Sequence, residues 1–256
     1  MKITYLNEQN GLSAEFSTTT PLMFMEKFNG NSVGADAVTY RPAEYDGQRF
    51  VCANLNARTI QLTVNFGGKL DGRYSRAEAL KRWEEIQRIF VPGIYGVLTW
   101  TDGENRRFIR CRTSALPNPS EILPFLFRAE VEFIADLPLW FDGEENAVQL
   151  TSGTTTINNP CGITAPFLVE VPAGTTAVLL NTTSGKVLKM LNNLSEAYTI
   201  DTAACTVTTD SGALVNNQLS VDSEFWGLVP GDNVIVASGI SGAVLRWRRV
   251  YLGVGG

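Results

Sequence analysis

The chain has 256 residues, 44% of them hydrophobic and only 18% charged, with a formal net charge of −5. It contains no histidine, which excludes Ser-His-Asp triads, Cys–His dyads and His-based zinc sites together. The acidic balance argues against a sequence-independent nucleic-acid binder, which needs a basic footprint. No apolar run approaches the roughly 20 residues of a membrane-spanning helix.

This length suits two ordinary domains or one large β domain. Met1 to Tyr5 alternates like a strand and lacks the apolar stretch of a secretory signal, so folding in a cytoplasm is expected. Between Glu44 and Gln48, Asp46-Gly47 is a strong hairpin cue. Thr59 to Phe66 alternates polar and apolar, placing Ile60, Leu62, Val64 and Phe66 on one face of a half-buried strand. Gly67-Gly68 breaks that strand, and Asp71-Gly72 continues the loop.

Ser75-Arg76-Ala77-Glu78 forms a capping box, in which the Ser75 hydroxyl accepts an orphan amide and Glu78 reaches back. It predicts a helix to Phe90, stopped by Pro92-Gly93. Leu80, Trp83, Ile86 and Phe90 are expected to pack on the sheet, with Lys81, Arg82, Glu84, Glu85 and Arg88 in water. A hairpin about Asp102-Gly103 should join Gly96–Trp100 to Arg107–Thr113. In Phe125 to Phe133 the alternation points Phe125, Phe127, Ala129, Val131 and Phe133 inward and Arg128, Glu130 and Glu132 outward. A sheet with one packed helix is the α+β arrangement.

Asp142 to Asn159 is polar and reads as a linker, although a Thr-rich run such as Thr151–Thr156 in its middle can also be strand. Beyond it the helical signal is lost. Phe167–Val171, Ala177–Leu180, Lys186–Leu191, Tyr198–Asp201 and Cys205–Thr208 are short strands whose spacing suggests a sandwich. Pro230-Gly231 fits the centre of a type II turn. Asn233 then leads into Val234–Ala237, Ser238–Gly242 reads as a loop, and Val244–Tyr251 as a last strand.

The four cysteines, Cys52, Cys111, Cys161 and Cys205, lack Cys-x-x-Cys spacing and are expected to be small buried or half-buried thiols. Trp226, Trp247 and Tyr251 could stack on a sugar, but core packing is the simpler reading of such residues. Arg106, Arg107, Arg110 and Arg112 could grip phosphates, as could Arg246, Arg248 and Arg249. A solvated strand face or ion pairs account for them more simply. Asp142, Glu144 and Glu145 lack the ligand spacing of an EF-hand loop. Gly67-Gly68-Lys69 lacks a P-loop frame, and Glu84 and Glu85 lie on the outer helix face. No residue is therefore assigned a catalytic, cofactor-binding or metal-binding role, and no cofactor is expected.

Taken in order, these features resemble the siphophage distal tail protein family. The first half is similar to its tail-tube-like domain through Asp46-Gly47, Ile60–Phe66, Ser75–Phe90 and Phe125–Ala135 running into Asp136-Leu-Pro-Leu-Trp140. The second half resembles its galectin-like domain through Tyr198–Asp201, Ser211-Gly212, the run from Trp226 to Asn233, and Trp247–Tyr251. The resemblance implies a mainly β protein with one helix: a tail-tube-like β-sandwich with a packed helix and hairpin over residues 1–145, then a galectin-like β-sandwich over 146–256. It implies a structural, non-enzymatic virion protein assembled in the host cytoplasm and placed at the tail tip. There a homo-hexameric ring would join the tail tube protein to tail hub or receptor-binding proteins. The tape-measure protein is a further candidate partner, DNA would only pass through the channel, and no membrane insertion is implied. The chain has no spare segment for a long arm or an inserted sugar-binding module, so the plain two-domain form is expected. A carbohydrate-binding β-sandwich module is the alternative, and a carboxylate-dependent hydrolase a third class.

Overall fold

In the computed structural model, which describes residues 1–20, 23–41, 46 and 48–254, the chain divides into two compact units. The first comprises Met1–Trp140 and Leu252–Gly256, the second Phe141–Tyr251. The expectation of a mainly β protein with one helix is borne out: among the described residues Arg76–Ile89 is the one α-helix.

The first unit holds strands β1 (Lys2–Asn7), β2 (Ser13–Ser17), β3 (Met23–Asn29), β4 (Ala35–Tyr40), β5 (Arg49–Leu55) and β6 (Arg58–Gly67). After these come the two-residue strands β7 (Lys69–Leu70) and β8 (Arg73–Tyr74), helix α1 (Arg76–Ile89), β9 (Tyr95–Asp102), β10 (Asn105–Thr113), β11 (Ser120–Leu123) and β12 (Leu126–Ala135). The sheet runs β11-β12-β6-β3-β2-β1-β9-β10, and β10 pairs back onto β12 through Arg112↔Ile134 and Thr113↔Phe133. That pairing closes the sheet on itself, leaving few open edges. The interior is filled by the residues whose alternation faces one way: Ile60, Leu62, Val64 and Phe66 from β6, and Phe127, Ala129, Val131 and Phe133 from β12. The hairpin of β9 and β10 forms as expected, with Asn105 opposite Asp102.

Ser75 caps α1, its hydroxyl accepting from the Glu78 amide. At the other end, the side-chain amides of Asn7 and Asn10 donate to the carbonyls of Ile89 (2.9 Å) and Arg88 (2.8 Å). The strand-to-strand turn after β1 thus satisfies carbonyls that the helix itself leaves open. Phe90, fully buried, meets Tyr5, Phe16 and Phe133 at ring-centroid distances of 5.3, 6.1 and 5.8 Å.

One residue of the predicted helical stripe is wrong. Leu80 is 42% exposed, whereas Ala79 is fully buried and continues the line Trp83, Ile86, Phe90. A residue one position on is rotated about 100° around a helix, and Gly68 explains why the small residue faces in. A side chain at Gly68 would lie 2.2 Å from the Ala79 amide nitrogen, so the first helical turn rests directly on that backbone. Of the Asp46-Gly47 pair, Gly47 lies outside the described residues, and the expected turn with it; β4 and β5 on either side pair antiparallel from Ala35↔Leu55 to Tyr40↔Arg49.

The second unit begins within β13 (Trp140–Asp142) and continues with β14 (Asn146–Asn159), β15 (Phe167–Val171), β16 (Val178–Asn181), β17 (Lys186–Lys189), β18 (Tyr198–Asp201), β19 (Thr206–Thr209), β20 (Gly231–Trp247) and β21 (Val250–Tyr251). Its sheet is ordered β17-β16-β20-β15-β18-β19, with β14 also on β20. Two expectations are corrected here. The supposed linker is strand: β14 pairs with β20 from Asn146↔Trp247 to Asn159↔Gly231. The supposed loop at Ser238–Gly242 is part of β20. Gly239 and Gly242, at φ +68° and +78°, bend that strand, and β14 shifts register opposite them. Because of the bend, one half of β20 pairs with β16 and the other with β15. A side chain at Gly239 would meet the Thr176 carbonyl oxygen at 2.2 Å, so the corner admits only glycine.

Candidate functional site

Five of the seven arginines read as possible phosphate ligands, Arg107, Arg110, Arg112, Arg246 and Arg248, are engaged inside their own units. Arg110 forms a two-pronged pair with Glu8 (3.0 and 2.7 Å) and lies over the Tyr95 ring at 4.4 Å. The Glu8 carboxylate beside it holds the Arg110 pKa above its ordinary value. Arg112 is 3.7 Å from Asp136, and Arg107 donates to the Gly253 carbonyl at 2.7 Å. In the second unit Arg246 bridges Glu170 (2.9 Å) and Glu145 (3.4 Å), and Arg248 donates to Gly143 O at 2.7 Å. These rows have the alternating-sign pairing of a stabilised sheet surface.

The acidic trio ahead of β14 is likewise occupied. Asp142 accepts from Tyr251 Oη (3.0 Å) and from the Glu144 amide (3.1 Å), while Glu145 faces Arg246 and Arg248. Among the described residues no group of three His, Cys, Asp or Glu side chains converges to hold a metal ion. Gly67-Gly68-Lys69 makes no phosphate cradle: Gly67 O accepts from Arg82 at 2.7 Å, and Lys69 lies over the Tyr74 ring at 4.7 Å.

The cysteines divide in a way the sequence reading did not foresee. Cys111 and Cys161 are buried, but Cys52, on β5, and Cys205 are exposed, and all four are free thiols. Burial pushes the Cys111 thiol and the Tyr5 phenol upward, so both stay protonated near neutral pH and neither serves as a nucleophile. Cys205 adopts φ +56° in the tight turn between β18 and β19, where Asp201 Oδ1 accepts from the amides of Ala203 and Ala204.

The three aromatics considered for sugar stacking play packing roles. Trp226 is 4% exposed and sits against Phe167 at 4.6 Å between ring centroids. Trp247 is half-buried, and Tyr251 donates to Asp142. In the same unit, three asparagines to which the sequence reading gave no side-chain role are fully buried: Asn159, Asn181 and Asn233. Asn233 accepts from the Val229 amide (2.9 Å) and donates to the carbonyls of Val229 (2.8 Å) and Gly231 (3.0 Å), clasping the Pro230-Gly231 turn. Asn181 donates to Asn233 at 3.1 Å, and Asn159 donates to Leu228 O at 2.7 Å. Their bonds satisfy loop backbone groups that would otherwise be buried unpaired. Nothing in the local pattern distinguishes these asparagines from turn residues at the surface.

Two shallow clefts lie among the described residues. One of about 480 Å³ is lined by Leu70, Asp71, Arg73, Tyr74 and Ser75. Another of about 380 Å³ includes Glu170, Tyr198 and Asp210. Neither brings together a nucleophile, a base and an oxyanion donor, the geometry of a hydrolytic site. More conspicuous is the ribbon of β4 and β5, every residue of which is exposed, including Phe50 at 66% and Val51 at 58%.

Comparison with known proteins places this architecture. Residues 161–251 match the family model described as siphovirus-type tail component, C-terminal domain. The whole fold is similar to that of the SPP1 Dit protein, described as a paradigm of hub adsorption apparatus in phages infecting Gram-positive hosts. The TM-score is 0.70 at 16% identity, covering 97% of this chain and 99% of that one. A chain of the phage P2 baseplate in its activated conformation with calcium matches at TM-score 0.58 and 8% identity, covering 99% of each chain. The strontium form matches at 0.57 and 9%, again covering 99% of each. No curated protein matches the sequence. The resemblance to siphophage distal tail proteins read from the sequence is borne out, by sequence model over 161–251 and by fold along the chain.

Proposed function

We propose that this chain, whose residues 161–251 carry a siphovirus-type tail component domain, is a structural distal tail hub subunit. Six copies form a ring that joins the tail tube to the host-recognition proteins of the tail tip and leaves a channel for DNA. The tail hub or receptor-binding proteins dock below, and the tape-measure protein is a candidate occupant of the channel. The observation that carries this reading is the family domain together with a fold likeness to SPP1 Dit that extends over 97% of the chain.

The physical features support a role in assembly. Cyclic closure needs two different surfaces on each subunit that meet around the ring. The first unit, over residues 1–145 in the reading from sequence, is the proposed ring-former, since its closed sheet makes a stiff block. Its β4–β5 ribbon supports the same role: a lone two-stranded ribbon is marginal in water, and one exposing Phe50 and Val51 gains from being covered. The second unit, galectin-like in this reading and covering 146–256, is the proposed docking domain. Trp226, buried against Phe167, offers no free face for sugar stacking, which favours docking over a lectin role.

Light scattering coupled to size exclusion at high protein concentration, with negative-stain imaging, tests the proposal. Six-subunit mass and ring-shaped particles are expected. A protein that stays monomeric at the highest soluble concentration and does not bind purified tail tubes would overturn it.

A further inference from the structure

Strand β6 opens on Arg58, whose side chain is fully shielded from solvent. A buried guanidinium is costly unless its donors find partners. Those of Arg58 are all backbone carbonyl oxygens. Nε and Nη2 donate to Pro138 O at 3.1 and 2.8 Å, Nη1 donates to Gly30 O, and Nη2 also donates to Leu252 O at 2.6 Å. Burial pulls the Arg58 pKa below its ordinary value, as expected for a cation enclosed with dipoles alone.

The third of these carbonyls comes from beyond the second unit. Leu252 begins the short tail that belongs to the first unit, after the whole of the second unit has intervened. The two residues that follow are held too. Arg107 donates to Gly253 O at 2.7 Å, and the Val254 amide donates to Asn31 Oδ1 at 2.7 Å. Val254 itself is 5% exposed. A side chain at Gly253 would come within 2.9 Å of that same Asn31 oxygen, so the tail lies close against the unit.

We propose that the segment from Leu252 to Val254 is a latch on Arg58 that makes completion of the first unit conditional on a chain that continues past the second unit. All other parts of that unit are in place by Trp140. A chain that stops at Tyr251 leaves a buried guanidinium one acceptor short, and leaves Asn31 and Arg107 without their tail partners. The first unit of a nascent chain therefore stays loose until Leu252 to Val254 have been made, and a chain cut at Tyr251 does not yield a sound subunit. The device filters chains that stop before Leu252 ahead of assembly.

Hydrogen exchange on the intact protein, a chain ending at Tyr251, Arg58→Met, and the combination tests the latch. Hydrogen bonds to a charged group are each worth about 1.5–3 kcal/mol, so ending the chain at Tyr251 should raise the opening equilibrium of β3 and β6 by about 10- to 100-fold. In the Arg58→Met background the same truncation should matter much less, because no buried charge awaits the Leu252 carbonyl. Equal exchange in the intact and truncated proteins overturns the proposal. Equal losses in both backgrounds overturn it as well, since the tail would then act by packing alone. If Arg58→Met does not fold, Asn31→Ala in the full chain replaces it. Loosening the tail at Val254 should speed exchange at β6, and unchanged exchange there refutes the latch.

Discussion

Trp83→Ala tests how the helix seals the first unit. The indole is 8% exposed and stacks on Phe66 at 5.4 Å with 14° between ring planes. Phe66 in turn stacks on Phe127 at 5.7 Å and 15°, so the ring joins α1 to β6 and β12 in one column. Phe66 is held in the closed sheet, and Gly68 fixes the helix backbone one turn away, so neither can collapse into the space left. Removing a buried aromatic under such constraint costs about 3–5 kcal/mol. At roughly 2–4 °C per kcal/mol for a unit of this size, the transition of the first unit should fall by on the order of 10 °C. Calorimetry with near-ultraviolet circular dichroism measures the shift. Leu80→Ala is the matched control: at 42% exposure it should move stability by less than about 0.5 kcal/mol. A Trp83→Ala protein with an unchanged transition, or one no worse than Leu80→Ala, would refute the inward line Ala79, Trp83, Ile86, Phe90.

Thiol titration of the unreduced, unfolded chain should find all four cysteines free. In the folded protein Cys52 and Cys205 should react quickly, with Cys111 and Cys161 protected; a disulfide, or four fast thiols, contradicts this. The same buried thiol sets a pH limit. Burial raises the Cys111 pKa, so the unfolded chain loses that proton first. Its contribution to stability is full below about pH 8.5, the ordinary thiol range, and declines as pH rises beyond it. Cys111→Ala should flatten the alkaline arm of a pH–stability curve, and an unaltered arm counts against the argument. Trp226→Ala should destabilise the second unit by about 3–5 kcal/mol. A folded variant that instead loses a measurable glycan affinity would establish the lectin reading.

Much of the fold is legible without coordinates, and the particular elements show why. The inward faces of β6 and β12 follow from strict two-residue alternation, a property of each strand alone. The start of α1 follows from Ser75, whose hydroxyl caps the Glu78 amide, although the expected return bond is not made: the Ser75 amide donates to Gly68 O and the Glu78 carboxylate accepts from Lys81. The Pro230-Gly231 turn follows from the stereochemistry of two neighbours, and Gly231 does adopt φ +87°. The absence of any histidine is decisive in the same local sense, since it removes whole classes of chemistry before folding is considered. The ordered set of these signals suffices to point to the distal tail family.

What required tertiary structure depends on partners distant along the chain. The polar run Asn146–Asn159 is a strand only because β20 lies alongside it, and Ser238–Gly242 remains strand because two glycines turn a corner between different neighbours. Ala79 rather than Leu80 faces the sheet because Gly68 draws the helix close. Closure of the first sheet, burial of Asn233, and enclosure of Arg58 by Gly30, Pro138 and Leu252 join residues with no common local pattern. Side-chain period and turn geometry act over a few residues and can be read in sequence. Desolvation and hydrogen-bond satisfaction are set by whatever surrounds a group in space, so for Arg58 only the folded chain determines that a charge lies buried and that Leu252, far along the chain, completes its shell.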